Sequence, residues 1–349
     1  MSFATQYLCR WFAISALAMG AGCTAAGSSA TTIPMARPGQ AVQPDSMQRD
    51  SMQPDSTQTM YLANSYTNAI LGFPTNADGN VTPTVKIAGN KTLLNQPWAL
   101  AVDHASGKIF SANEGPDARI LIFPKGADGN VAPKVLAGSN VPVVNPSGMA
   151  VDSSGELYVS DFQNKAIYVF AAGAQGNVAP IRTISGSNTG LSVPCGLSFD
   201  SSGHLYVASI RDSTAPIEEF AAGANGNVAP IATLGGNHVK IYGAYSVSLD
   251  RQDRIVVPYG GQIKIFAAGA HGNVDPIAVI KGSATKLVDA TTAGTDSNSR
   301  IYVTNLIDVP NHKSSILAFD SNANGNVAPI RDISGSHTGV FATWYPSLL

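Results

Sequence analysis

Carboxylates, histidines and aromatic residues recur in this sequence at spacings that invite a chemical reading. Asp103, Asp152, Asp200, Asp250 and Asp296 come round at nearly regular intervals, and a ring of carboxylates could hold a metal ion or move protons. Each of them opens a short turn, however, and capping of that turn by the Asp side chain accounts for the recurrence without any ligand. His238, His312 and His337 fall in loops, but neither their spacing nor their flanking residues have the pattern of a zinc site. His271 occupies a solvated turn position, and the lone Cys195 reads as a small packing residue. No metal site, cofactor or Ser-His-Asp arrangement is expected. What remains is a set able to bind: Trp98, Tyr245 and Trp344, with Gln96, Asn145 and Asp289 beside them. Aromatic faces flanked by amides and one carboxylate could stack a sugar, a peptide or another flat ligand.

The elements that must position these residues are set by one phrase. Gly-Asn-Val-x-Pro occurs six times, at Gly79, Gly129, Gly176, Gly226, Gly272 and Gly325, with intervals of 50, 47, 50, 46 and 53 residues. That period suits four short strands and their turns, the blade of a β-propeller. In the third unit strand A is Ser147 to Asp152, strand B Glu156 to Ser160, strand C Ala166 to Phe170 and strand D Pro180 to Ile184. The phrase then marks the C-D turn, its glycine alone taking the left-handed conformation, and its proline starts an outermost strand D whose bare edge it protects. Strand A should be innermost, with its small residues (Ala99 and Ala101, Gly148 and Ala150, Gly196 and Ser198, Ser246 and Ser248) facing the channel. The larger residues alternating with them would pack within and between blades.

On this reading the residues entering strand A ring the mouth of the channel on the face shared by the D-A and B-C loops: Trp98, Ser147, Cys195, Tyr245, Thr291 and Trp344. The ends of strand B add Asn64, Asn113, Asp161, Tyr259 and Asn305, whose expected job is mostly to cap the B-C turns. The folded chain opens near Met60 with a strand B that lacks a strand A. Tyr345 to Leu349 falls where a strand A should be, so the C-terminal strand is expected to complete the N-terminal blade, closing six blades at residues 59–349.

Ahead of the propeller, residues 1–22 hold Arg10, the apolar run Trp11 to Met19 and then Gly20-Ala21-Gly22 before Cys23. This suits a signal peptide rather than a bilayer span. Residues 23–58 are rich in Ser, Thr, Gln and Pro without apolar periodicity, the composition of a disordered tether reaching about 30 Å. The net charge of −2, with 13% charged residues and no basic cluster, disfavours nucleic acid as a partner.

Two resemblances follow. The leader resembles a bacterial lipoprotein signal, which implies export to the cell envelope and lipid on Cys23, with ordinary secretion as the alternative and Gly20 departing from the usual aliphatic residue. Membrane contact would then run through the lipid alone, with the propeller in the periplasm or at the cell surface. Pro146 to Asp161 with Ile167 to Phe170 resembles an NHL repeat, as does Pro194 to Val207. That resemblance implies an all-β, six-bladed propeller of four-stranded antiparallel blades, usually a binding module. The expected function is a monomeric binding or scaffold module for a ligand or protein partner at the channel mouth. The competing class, implied by related six-bladed rings, is a metal-dependent lactonase- or lyase-like enzyme, for which Asp289 would be the acidic residue at the mouth.

Overall fold

A computed structural model describes residues 58–115, 118–209, 217–241, 243–308, 311, 313–341 and 343–348, the side chains of 343–346 excepted. The expected signal peptide, Cys23 and nearly all of the tether, as well as His312, lie outside the described residues. No helix among those residues is long and apolar enough to cross a membrane.

The described residues form six four-stranded antiparallel sheets, each a blade of consecutive strands A to D. In blade 3 these are Pro146–Val151, Leu157–Asp161, Ala166–Phe170 and Arg182–Ser185. The strands A of blades 2, 4, 5 and 6 are Pro97–Val102, Pro194–Phe199, Ser248–Leu249 and Asp289–Thr295. Blade 1 takes its strand A from the chain's end: Thr343–Leu348 pairs antiparallel with Thr59–Asn64, the closure expected from the sequence. Strand A of blade 5 is shorter than its pattern suggests. The pairing stops after Ser248 with Val256, and Pro258, two residues beyond Val256, has no N–H with which to extend it.

Hydrophobic burial is organised between blades rather than within them. Six clusters of buried side chains each draw on two neighbouring blades; one joins Ala99 and Ala101 of blade 2 to Met149, Val159 and Phe170 of blade 3. Strand C carries a phenylalanine at its end in every blade, as its last residue in blades 2 to 6 (Phe123, Phe170, Phe220, Phe266 and Phe319) and next to last, as Phe73 before Pro74, in blade 1; all six are fully buried. Each contributes about 1.5–3 kcal/mol by leaving water.

This layering widens the expected faces of strand A: Ala101, Ala150, Gly196 and Ser198 line the axis as expected, but so do Val102 and Val151. A blade stands radially, so both faces of its inner strand look at neighbouring blades. Leu100 and Val102 pack back onto blade 1, while Ala99 and Ala101 face blade 3. A Cβ on Gly148 would come within 2.2 Å of the Cys195 carbonyl oxygen, and one on Gly196 within 2.7 Å of Ser246 Cα. Glycine is required at these two positions because the next inner backbone lies against them.

The Gly-Asn-Val-x-Pro phrase also does more than mark a rim. Its glycine has φ between 71° and 78° in all six copies, as expected, though Gly126, Gly173, Gly223 and Gly269 are left-handed in the same connections. The glycine bridges in parallel to strand D of the preceding blade: Gly129 to Ile87, Gly176 to Leu136, Gly226 to Ile184, Gly272 to Leu234, Gly325 to Ile280 and, across the ring closure, Gly79 to Ile333. The asparagine Oδ1 then accepts a backbone N–H from the turn following that strand, as in Asn140 N to Asn177 Oδ1 at 2.7 Å and His337 N to Asn80 Oδ1 at 2.8 Å. The prolines lie one or two residues ahead of strand D rather than within it, and the edge they were expected to protect is already covered by the next blade's phrase.

Deleting residues 343–349 removes the strand that completes blade 1 and uncovers Met60 and Leu62. The truncated protein should melt more than about 10 °C below the full chain by calorimetry, since each kcal/mol is worth about 2–4 °C in a domain of this size; an unchanged midpoint refutes the closure.

Candidate functional site

The entrance to strand A is where the expected binding residues sit, and there the ladder breaks. The pairing of A with B slips between Pro97 and Ala99, between Pro146 and Gly148, between Pro194 and Leu197, and between Ala290 and Thr292. Each slip is a bulge that inserts an extra residue on strand A, re-aiming its side chain and cancelling the period-two assignment at that point. Trp98, Ser147, Cys195 and Thr291 are those bulge residues or their immediate neighbours.

Their environments differ. Ser147 is buried, its Oγ donating to the Pro194 carbonyl at 2.6 Å. Cys195 is buried, and its carbonyl accepts from Ser160 Oγ at 2.6 Å. Thr291 is buried against Thr304, their hydroxyls 2.9 Å apart. These three hold neighbouring strands together. Trp98 and Tyr245 stay half-buried, in blades 2 and 5, which are diametrically opposed in a ring of six. Tyr245 is fixed through its carbonyl, which accepts Gly196 N–H at 3.0 Å from blade 4. Trp344 lies on strand A of blade 1, adjacent to blade 2.

Gln96 is exposed with φ of 47°, its N–H donated to Asn68 Oδ1 at 2.6 Å. Asn145 is half-buried, with its N–H on Asp161 Oδ2. Asp289 opens strand A of blade 6 with its N–H on Asn305 Oδ1 at 3.2 Å. Burial pushes the Asp289 carboxyl above its ordinary value, because desolvation disfavours the charged form.

The residues ending strand B are structural clamps. Asn64, Asn113, Asp161 and Asn305 are fully buried, and Tyr259 is half-buried. Asp161 Oδ1 caps the B-C turn at Gln163 and Asn164, as expected, while Oδ2 also takes Val144 N–H at 2.7 Å. Asn113 Oδ1 accepts Asn95 N–H and its amide donates to the Leu93 carbonyl; Asn305 does the same with Val288 and Lys286. They tie down the D-A loop that leads into strand A, a wider role than capping the B-C turn.

A cavity of about 330 Å³ lies on the axis, lined by residues from all six inner strands, among them Val102, Val151, Phe199, Leu249, Thr295 and Leu348. It is set toward the A-B turn end, reaching His104, and none of Gln96, Trp98, Asn145, Tyr245 or Asp289 lines it. Three of its hydroxyls are engaged between strands: Thr295 Oγ1 donates to the Leu249 carbonyl at 2.9 Å, Ser198 Oγ accepts Leu249 N–H at 3.1 Å and Ser246 Oγ accepts Ala293 N–H at 3.4 Å.

The recurrent aspartates behave as turn caps in all five places. Asp152 Oδ1 accepts the N–H groups of Ser154 and Glu156; Asp200, Asp250 and Asp296 repeat the pattern at their own turns, and Asp103 Oδ1 accepts those of Ala105 and Ser106. Of the histidines singled out from the sequence, His238 pairs with Asp275 at 3.2 Å on the surface, and His271 bonds the Gly269 carbonyl. Sequence reasoning passed over another, His204, whose Nδ1 lies within 3.1 Å of both Asp200 and Glu219. The available signal was internal: Glu219 stands where the register of the other blades puts Ile122, Val169, Ile265 and Ala318.

Residues 144–170, within blade 3, match the NHL repeat family, and no curated protein matches the chain. Among solved structures, the chain is similar to one in a nidogen/laminin complex, at 15% identity and TM-score 0.59, covering 84% of this chain and 98% of that one. It is similar to a protein of unknown function from Bacteroides caccae, at 10% identity and TM-score 0.57, with the same coverage. A "putative 6-phosphogluconolactonase" from Bacteroides uniformis aligns at 13% identity and TM-score 0.54, covering 80% and 84%. At such identities the likeness is one of fold.

Because the folded-state pKa of Asp289 is raised, its protonated form is favoured in the fold. Stability linked to that proton is present below the ordinary carboxylate value and is lost as pH rises through the raised one. Asp289→Asn should therefore raise the melting temperature at pH 7 and leave it nearly unchanged at pH 3. Equal effects at both pH values would show that the carboxylate is not held at a cost.

Proposed function

We propose that this protein is a binding module that engages its ligand on the propeller axis, exported to the cell envelope and held there by lipid on Cys23. The observation that carries the reading is the axial cavity of about 330 Å³, to which every blade contributes its inner strand. Its size suits a small molecule, and a lining of aliphatic side chains, small residues and engaged hydroxyls recognises by shape and apolar contact. At the opposite end of the axis Trp98 and Tyr245 remain half-buried while their counterparts in blades 3, 4 and 6 are buried. With Trp344, Gln96, Asn145 and Asp289 they would form a collar on the D-A and B-C loop face for a ligand or protein partner. The Bacteroides uniformis protein keeps a lactonase-like enzyme on the same fold in view; its distinguishing mark would be lactone hydrolysis dependent on a stoichiometric metal ion.

Binding is read by thermal shift and tryptophan fluorescence against panels of uncharged metabolites, oligosaccharides and peptides. Ser248→Phe, which fills the cavity, or the collar pair Trp98→Ala and Tyr245→Ala should weaken a hit by about tenfold or more, the loss expected when a central contact is removed. A hit unaffected by either set places recognition away from the axis and sinks the proposal.

Anchoring has a separate test. Cells expressing the protein should incorporate labelled palmitate into the wild type but not into Cys23→Ser, and only the wild type should partition into detergent. An unlabelled wild type recovered in the medium would establish ordinary secretion instead.

A further inference from the structure

Blade 4 departs from its neighbours at one place on the A-B turn side. In blades 5 and 6 the aspartate that caps the turn is paired by an arginine four residues on: Arg254 Nε to Asp250 Oδ2 at 2.7 Å, and Arg300 Nε to Asp296 Oδ2 at 2.6 Å. The strand C residue on the same face is apolar, Ile265 or Ala318. Blade 4 has His204 at the arginine position and Glu219 at the apolar one. A cation fixed by one carboxylate has been replaced by a neutral or singly charged ring between two.

His204 Nδ1 lies 3.1 Å from Asp200 Oδ2 and 3.0 Å from Glu219 Oε1. One ring nitrogen carries at most one proton, so it cannot satisfy both acceptors, and even an imidazolium leaves the group net negative. The carboxylates are held in place from outside the cluster. Asp200 Oδ1 is bound by the N–H groups of Ser202 and His204, which leaves Oδ2 turned toward the ring. Tyr206 hydrogen-bonds Glu219 from the paired strand. Asp253 approaches from blade 5 through Ser201 N–H at 2.8 Å, adding further negative charge. The side chains of Asp200 and Glu219 are 11% and 12% exposed and that of His204 34%, so the cluster is largely desolvated with one open side.

We propose that Asp200, His204 and Glu219 form a binding site for one divalent transition-metal ion of the zinc type, with its remaining coordination position open to solvent or ligand. Zinc bonds nitrogen and carboxylate oxygen at about 2.0–2.2 Å in a tetrahedral arrangement, so two of its ligands stand about 3.4 Å apart, within a few tenths of an ångström of the 3.1 and 3.0 Å separations here. An imidazole in the set disfavours calcium and magnesium, which take oxygen ligands. Asp200 directly follows Phe199, which lines the axial cavity, so the ion would sit at the A-B turn end of the molecule.

The test is titration of the metal-free full chain with Zn²⁺ alone, read by calorimetry and by melting temperature. One Zn²⁺ per chain is expected, with a rise in melting temperature, and His204→Ala or Glu219→Gln should weaken binding by about tenfold or more. The double variant His204→Arg with Glu219→Ile rebuilds the set found in blade 5; it should fold with an undiminished metal-free melting temperature and no longer respond to Zn²⁺. His238→Ala, which removes the exposed pair with Asp275, should bind as the wild type does. Absence of stoichiometric uptake by the wild type, uptake that survives in the folded double variant, or loss of uptake in His238→Ala each overturns the proposal.

Discussion

The structure depends on one repeated joint, the asparagine of each Gly-Asn-Val-x-Pro phrase bonded to the turn that ends the preceding blade. The joint works because the receiving turn carries a glycine with φ between 114° and 136°, at Gly89, Gly138, Gly186, Gly236, Gly282 and Gly335. At Gly138 a Cβ would lie 2.4 Å from the Asn177 side chain, so the close approach and the backbone conformation are one constraint. A single such hydrogen bond contributes about 0.5–1.5 kcal/mol. Six of them fix the angle between every pair of blades, and that angle decides whether the apolar faces meet. Since the hydrophobic clusters lie between blades, a blade without neighbours has no core of its own. Its stability is a nearest-neighbour quantity, as in other repeat folds. The ring removes the terminal blades that an open array would leave half covered, by Thr343–Leu348 in blade 1 and by Asn80 reaching the turn after blade 6.

That constraint decides what the axis can be. Six inner strands brought this close leave room for glycine, alanine and serine where backbones touch, as at Gly148 and Gly196, and for aliphatic residues where they diverge toward the A-B turns. The cavity lies at the diverging end. The bulges at the other end are the device by which strands that must pack tightly can still turn a residue such as Trp98 out of the ladder. Buried Asn113, Asp161 and Asn305 hold the loops that feed those bulges, so the entrance is rigid although it is made of loops.

The blade pattern, the closure and the turn aspartates were legible because they rest on local rules: strand period, turn chemistry and the recurrence of a phrase. The joint was not legible, because Asn177 and its partner Asn140 are 37 residues apart and nothing in either unit alone says that one completes the other. The channel-facing assignment of strand A was legible only in part: Gly196, Ser198 and Ser246 do line the axial cavity, but so do Val102 and Leu249, because alternation tells which residues share a face, not what the face looks at. Period two also fails silently at a bulge, since an inserted residue leaves no mark in composition. His204 and Glu219 are 15 residues apart in the chain; only the antiparallel register, which sets Tyr206 beside Glu219, brings them to one place.

The five turn aspartates show how such a scaffold leaves room for chemistry. One carboxylate oxygen of each is committed to backbone N–H groups, and that suffices for the turn. The other oxygen is free to take what the blade offers: a serine hydroxyl at Asp103, an arginine at Asp250 and Asp296, a histidine at Asp200. Because the structural half of the residue is satisfied in all five of these blades, changing the partner of the other half does not endanger the fold. A group required everywhere for a turn can therefore be specialised in one blade alone, and blade 4, where the partner is a metal-binding type and a second carboxylate has been added, is where the repeat has been put to a separate use.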